Sequence, residues 1–308
     1  MILLWGIQGD RPLALVLASL TRRGMPIVFL DQQQLLQCEI EMEVDSAVRG
    51  RIRLPGREVC LEEIRSVYVR PYDTRRLPSM ENAREGDPDW VRGLQFESAV
   101  TCWTEMTDAF VVNRLSVMGS NGSKPYQAAL IKDLGFDVPA TLVTTDPGAV
   151  EDFWERYGNV VYKSTSGVRS IVSRLTPEHR NRLADIVNCP TQFQEYVEGV
   201  DVRVHVVGDD LFACEIESSA DDYRYGGRSG AGARLKAVDV PAELAEKCRK
   251  LATALRLPVA GIDLRYRKNG TWCCFEVNPS PGFSYYEDAT GQPIGDAVAA
   301  LLAENLKS

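Results

Sequence analysis

The stretch Gly261–Gly282 reads GIDLRYRKNGTWCCFEVNPSPG, and its middle decides how the chain around it folds. Two runs of strand-forming residues, Ala260–Tyr266 and Trp272–Asn278, flank Asn269-Gly270. Asn-Gly is a strong signal for a two-residue type I′ hairpin, because both central residues need positive φ. Such a turn sets Lys268 opposite Thr271, and counting outward sets Asp263 opposite Glu276. Side chains alternate along a strand, so Glu276 and Asn278 share the face on which Asp263 meets Glu276. Opposed carboxylates repel. A solvated hairpin face would more usually carry mixed signs, so the pattern points to a cation between them. The oxygen set Asp263, Glu276 and Asn278 suits Mg²⁺ held together with substrate phosphates.

Upstream of the hairpin, Pro241–Leu255 is an amphipathic helix whose stripe of Leu244, Cys248, Leu251, Ala252 and Leu255 is core. Val200–Val207 alternates strictly, with four valines on one face and Asp201, Arg203 and His205 on the other. Asp201 and Arg203 thus project together, as a site or as a surface ion pair. Between these segments lie a strand, Leu211–Ser218, and a loop, ADDYRYGGRSGAG (220–232), with Arg224 and Arg228. Its glycine and charge content suits a lid or substrate loop.

Further back, Asn159–Lys163 is a strand that delivers Lys163 into a small-residue loop, Ser164–Arg169. A point charge beside exposed backbone N–H groups suits phosphate, and a surface turn is an equal alternative. Lys124–Leu134 is a helix closed by Gly135, and Thr191–Glu198 (TQFQEYVE) precedes the valine strand. The chain opens with strand Met1–Trp5, helix Pro12–Arg23 and strand Pro26–Leu30, a βαβ unit implying a parallel sheet. Gly6 and Gly9 with Asp31 faintly resemble a dinucleotide fingerprint, but the spacing is wrong and the third glycine is missing. A boundary is expected near Asn113, dividing the chain into 1–112, 113–190 and 191–308.

The 308 residues are 44% hydrophobic and 25% charged, an ordinary globular composition. The net charge of −8 without a basic run weighs against nucleic acid or an anionic membrane as partner. The opening apolar residues meet Gly6 and Asp10 too soon for a signal peptide. Eight scattered cysteines without CxxC spacing are expected to be free thiols, consistent with the cytoplasm. Only His179 and His205 occur, which excludes a histidine-rich metal centre.

In order along the chain, Lys124, Lys163, QEYV, DVR, DYR, DLR and EVNPSPGF together resemble the ATP-grasp ligases, over about Asn113 to Glu287. EVNPSPGFSYYE looks closer to ligases that add glutamate to a ribosomal-protein tail. SVYVRP, PATLVTTDPGAVEDF and IESSADDYRY look closer to graspetide peptide cyclases. The resemblance implies an α/β (α+β) ATP-grasp fold, with an N-terminal α/β domain before two subdomains that clasp ATP. It implies that Lys124 and Lys163 contact ATP, that Gln194, Glu195, Tyr196 and Val197 form the adenine hinge, and that Asp201 contacts the nucleotide. Arg203 and Arg224 would neutralise charge during catalysis, and Asp263, Glu276 and Asn278 would hold Mg²⁺, with Mn²⁺ as a substitute. The implied reaction is ATP-dependent joining of a carboxylate to an amine through an acyl phosphate, on an amino acid, peptide or small metabolite. Macrocyclisation through side-chain esters or amides is the alternative, and a non-catalytic nucleotide-binding protein is a second. Relatives of this kind are often homo-oligomers.

Overall fold

A computed structural model describes residues 1–164, 172–218 and 233–306. Strand β1 (Ile2–Gly6), helix α1 (Arg11–Arg22) and strand β2 (Ile27–Asp31) form the expected βαβ unit. Asp10 caps α1 by accepting from the Leu13 amide at 3.2 Å, and Pro12 sits where a helix needs no N–H. An antiparallel ribbon of β3 (Glu39–Val44), β4 (Val48–Leu54) and β5 (Arg57–Cys60) branches off before β6 (Ser66–Val69). Helix α2 (Pro88–Met106) leads to β7 (Phe110–Val112), completing a parallel sheet in the order β2-β1-β6-β7.

Helix α3 (Lys124–Asp133) and strand β8 (Thr141–Thr144) open the middle of the chain. With α4 (Pro147–Tyr157), β9 (Val160–Ser164), β10 (Ser173–Arg174) and β11 (Thr191–Glu195), β8 builds an antiparallel sheet ordered β10-β9-β11-β8. This unit has a core of its own around Val150, Val160, Leu183 and Phe193. Strand β11 is interior to it, so the boundary expected at 190 falls one strand short of the sheet's end.

The remaining strands are β12 (Val200–Val207), β13 (Asp210–Glu217), β14 (Arg234–Val238), β15 (Val259–Tyr266) and β16 (Trp272–Asn278). They form an antiparallel sheet ordered β14-β13-β12-β15-β16. Helix α5 (Ala242–Ala254), which follows β14, packs with α3 on the face of Val202, Val204, Val206 and Ile262. The other face is covered in part by α6 (Ser284–Thr290) and α7 (Ile294–Glu304), with α1 and β1 behind them. Ile2, Leu4, Leu13 and Val16 share one core with Phe283, Ile294, Val298 and Leu302. The N-terminal sheet and the C-terminal sheet are therefore packed as one body, joined also by Ser66 Oγ donating to the Leu302 carbonyl at 2.8 Å.

Of the two readings of the charged face of β12, site or surface ion pair, the structure disfavours the second: Arg203 is 4% and His205 1% exposed, with Tyr286 of α6 packed against both. One expectation is corrected. The hairpin turn is not a two-residue turn. Arg267, rather than Lys268, faces Thr271, with the Arg267 amide donating to the Thr271 carbonyl at 2.9 Å. Three residues form the loop, and Gly270 takes the left-handed φ of +84° that a type I turn with a G1 bulge requires.

All eight cysteines are free, and Cys38, Cys214, Cys248, Cys273 and Cys274 are buried. Burial pushes Cys248 up to about 12 and Cys38 and Cys273 up to about 11, so these thiols stay protonated and unreactive. Among the described residues no helix is long and apolar enough to cross a membrane.

Candidate active site

Two strands carry the same tripeptide pattern, Asp-x-Arg, at 201–203 in β12 and 263–265 in β15. They run antiparallel, with Asp201 opposite Arg265 and Arg203 opposite Asp263. Each aspartate therefore faces the other strand's arginine. Arg265 holds Asp201 in a two-pronged pair at 2.7 and 2.8 Å and reaches the Val197 carbonyl at 2.7 Å. Arg203 donates to Asp263 Oδ1 at 2.7 Å. Charge-assisted bonds at these lengths are among the strong ones, and removing one partner of so buried a pair costs about 3–5 kcal/mol.

The third strand, β16, brings Glu276 opposite Asp263, as the sequence predicts. It does so by a different route. The three-residue turn shifts the pairing near the loop by one, and a β-bulge at Phe275 shifts it back. The bulge also turns both Phe275 and Glu276 toward the same cleft, where a regular strand would send them to opposite faces. Lys124, at the first turn of α3, reaches Glu276 Oε2 at 2.7 Å. The two opposed carboxylates are thus each met by a separate cation, Arg203 on one side and Lys124 on the other.

Arg203 lies in a fitted cage. Its guanidinium rests on Gly261, where a Cβ would stand 1.9 Å from Nη2. Its Nε–H donates to His205 Nε2 at 3.4 Å, and its Cζ lies 5.7 Å from the centre of the Tyr286 ring. Burial, reinforced by the Arg203 charge, holds the His205 imidazole well below its usual range. The ring is neutral, with Nε2 as acceptor.

Asp263 and Glu276, the acceptors of Arg203 and Lys124, open onto a cleft between the central and C-terminal sheets. Lys163, Gln194, Glu195, Tyr196, Val197, Asp201, Asp263 and Glu276 line it, with Val161, Val172, Ile216, Leu264 and Phe275 as apolar walls. The mix of apolar walls with a few convergent polar groups is that of a small-molecule site. Lys163 is 8% exposed on interior strand β9. The segment 194–197 is braced: Arg267 pairs with Glu195 at 3.2 Å, and the Tyr196 ring meets the guanidinium of Arg174 at 3.9 Å and that of Arg265 at 5.7 Å.

The structure thus brings together Lys124, Lys163, Gln194, Glu195, Tyr196, Val197, Asp201, Arg203, Asp263 and Glu276. Asn278 lies two residues beyond Glu276, opposite Gly261, and its Oδ1 accepts from the Ser280 amide at 2.9 Å. Arg224 and Arg228 lie outside the described residues, as does most of the loop after Lys163. Sequence reasoning missed Arg265 as the partner of Asp201, though the repeated Asp-x-Arg pattern could have shown it. It also missed Gly261 and Phe275, whose places depend on a side chain's path and on a bulge.

Among the described residues no cluster of three or more His, Cys, Asp or Glu side chains is arranged to hold a metal ion. The expected set offers two carboxylates and one amide, all oxygen donors. That set fits Mg²⁺, which completes its shell with phosphate oxygens and water.

Two sheets clasping such a cleft, with cations and paired carboxylates at its inner end, define an ATP-grasp ligase. The family model described as RimK-like ATP-grasp domain matches residues 123–302, and the chain belongs to that family. It is 27% identical over 225 residues to a probable alpha-L-glutamate ligase of Vibrio cholerae, covering 69% of this chain and 73% of that one. A probable alpha-L-glutamate ligase of Pseudoalteromonas translucida is 28% identical over 216 residues, covering 66% and 70%. Among solved structures, the ATP-grasp ligase PsnB complexed with a minimal precursor superposes with a TM-score of 0.81 at 25% identity, over 99% of both chains. The macrocyclase MdnC of Microcystis aeruginosa, bound to its precursor peptide MdnA, gives 0.82 at 19% identity, over 99% and 100%.

Proposed function

We propose that this ligase phosphorylates a carboxylate of a peptide or amino acid with ATP and joins the resulting acyl phosphate to an amine, releasing ADP and phosphate. The observation that carries the reading is the pair of opposed carboxylates, Asp263 and Glu276, each met by its own cation and both lining the cleft between the two sheets.

In this reading adenine lies against Tyr196 and Val197, with Gln194 and Glu195 completing the hinge, and Lys163 faces the phosphates. Asp201 acts through Arg265, which ties it to the hinge carbonyl of Val197. Asp263, Glu276 and Asn278 hold Mg²⁺, which supplies charge neutralisation on the phosphates when bound. Lys124 and Arg203 neutralise the carboxylates beforehand; Lys124 would turn to phosphate oxygens on nucleotide entry, while Arg203, held in its cage, would offset the charge that develops as the acyl phosphate forms from where it lies. Positioning and electrostatics of this kind need no protein nucleophile.

A second reading, in which the acceptor is a hydroxyl or amine on the same peptide, has its own support. The likeness to peptide-bound ligases and a macrocyclase runs over nearly the whole chain, N-terminal sheet included. Incubation with Mg-ATP and pools of amino acids or acidic peptides, followed by mass spectrometry and ADP detection, tests both. ADP with a product heavier by an amino-acid residue establishes intermolecular ligation, and ADP with a peptide lighter by one water establishes cyclisation. AMP in place of ADP overturns the acyl-phosphate mechanism.

A further inference from the structure

We propose that Gln127 is a positioning residue that holds the bulged strand β16 in the register its two metal-ligand candidates require; the inference rests on the site reading above. Strand β16 is the edge of its sheet, so its outer N–H and C=O groups need partners. Gln127, on α3 and 2% exposed, supplies both for Val277, the residue between Glu276 and Asn278. Its Nε2 donates to the Val277 carbonyl at 2.8 Å, and its Oε1 accepts from the Val277 amide at 2.9 Å. One side-chain amide thus stands in for a missing neighbour strand.

The place of this contact matters. In a regular strand, N–H groups three residues apart point to opposite edges. Here the amides of Cys274 and Val277 both point outward, the first to the Asp137 carbonyl at 2.8 Å and the second to Gln127. They can do so only because Phe275 is bulged between them, so the bulge is pinned from both sides. A bulge free to slide by one residue would exchange the faces of Phe275, Glu276 and Val277. Lys124, one turn earlier on the same helix, binds Glu276 itself, so the i, i+3 pair on α3 grips two successive residues of the strand.

The test uses Gln127→Leu, which removes both bonds at similar volume, and Gln127→Glu, which keeps the acceptor. In metal-free protein, amide exchange in the peptide spanning Trp272–Gly282 should quicken about tenfold in Gln127→Leu, with β12 and β13 unchanged. The affinity for Mg²⁺ with a non-hydrolysable ATP analogue, measured by calorimetry, should fall about tenfold or more. Gln127→Glu should approach the unaltered protein in both readouts as pH is lowered. Its carboxyl then gains the proton that restores the donor to the Val277 carbonyl, a change that loss of packing alone would not produce. Faster exchange with unchanged metal affinity would overturn the inference and leave the site reading intact. Failure of the unaltered protein to bind Mg²⁺ with the nucleotide would sink the site reading and this inference with it.

Discussion

The Arg203 guanidinium has almost no freedom where it lies, and the reason is as much the residue beneath it as the carboxylate beside it. Gly261 has room for the arginine only because it lacks a Cβ, so Gly261→Ala must displace the guanidinium from Asp263. Expected outcomes are a stability loss of about 1–3 kcal/mol in thermal melts and a fall in ADP release of roughly a hundredfold. Glu276→Gln leaves Lys124 without its carboxylate and should lower the melting temperature with the fold intact, while turnover falls by about 10² or more, as measured by ADP release at saturating Mg²⁺. His205 makes a prediction about pH. The folded chain keeps it neutral, and the unfolded chain takes up a proton near pH 6.5, so its contribution is full above that pH and declines below it. Melts between pH 7 and 5 should therefore show stability dropping by up to about 1.4 kcal/mol per unit. His205→Gln, which keeps an acceptor for Arg203 and cannot titrate, should flatten that slope. Little of this cage is visible in the sequence, where alternation puts Asp201, Arg203 and His205 on one face without saying what covers it. What packs against Arg203 and His205 is Tyr286, a residue far along the chain whose place depends on tertiary packing.

The hairpin shows how an element can be read correctly through a wrong intermediate. Asn269-Gly270 points to a two-residue turn and, from it, to Asp263 facing Glu276. The turn has three residues, and the pairing survives because the bulge at Phe275 adds back the residue that the longer loop removes. Neither shift leaves a clear mark in composition, since Phe275 reads as an ordinary strand residue, and the carboxylate pair was legible only because the two shifts cancel. The repeated Asp-x-Arg pattern, by contrast, contains all that is needed to pair Asp201 with Arg265 once the strands are known to be neighbours. The turn and the site should also be separable by experiment. Gly270→Ala forces a side chain into φ +84° and should cost about 1 kcal/mol in chemical denaturation. Activity at 25 °C should persist, because the Phe275 bulge and the Gln127 contact set the site register independently of the loop.

At the scale of the whole molecule, two of the cores differ in kind. The central sheet closes around Phe193 by itself, whereas the core around Phe283 is built from both ends of the chain. Phe283→Ala should destabilise by about 3–5 kcal/mol and raise amide exchange in β1, α1 and α7 together. Phe193→Ala should raise exchange in β9 and β11 with those segments unaffected. The shared core also has a consequence for how the protein comes into being. Helix α1 is made long before Ile294–Glu304, so its apolar side can settle on β1, Tyr68 and Val112 while the surface that α7 covers waits. At roughly 5–20 residues per second that is a wait on the order of tens of seconds. For that time α1 lacks part of its apolar cover, a natural foothold for chaperones on the nascent polypeptide.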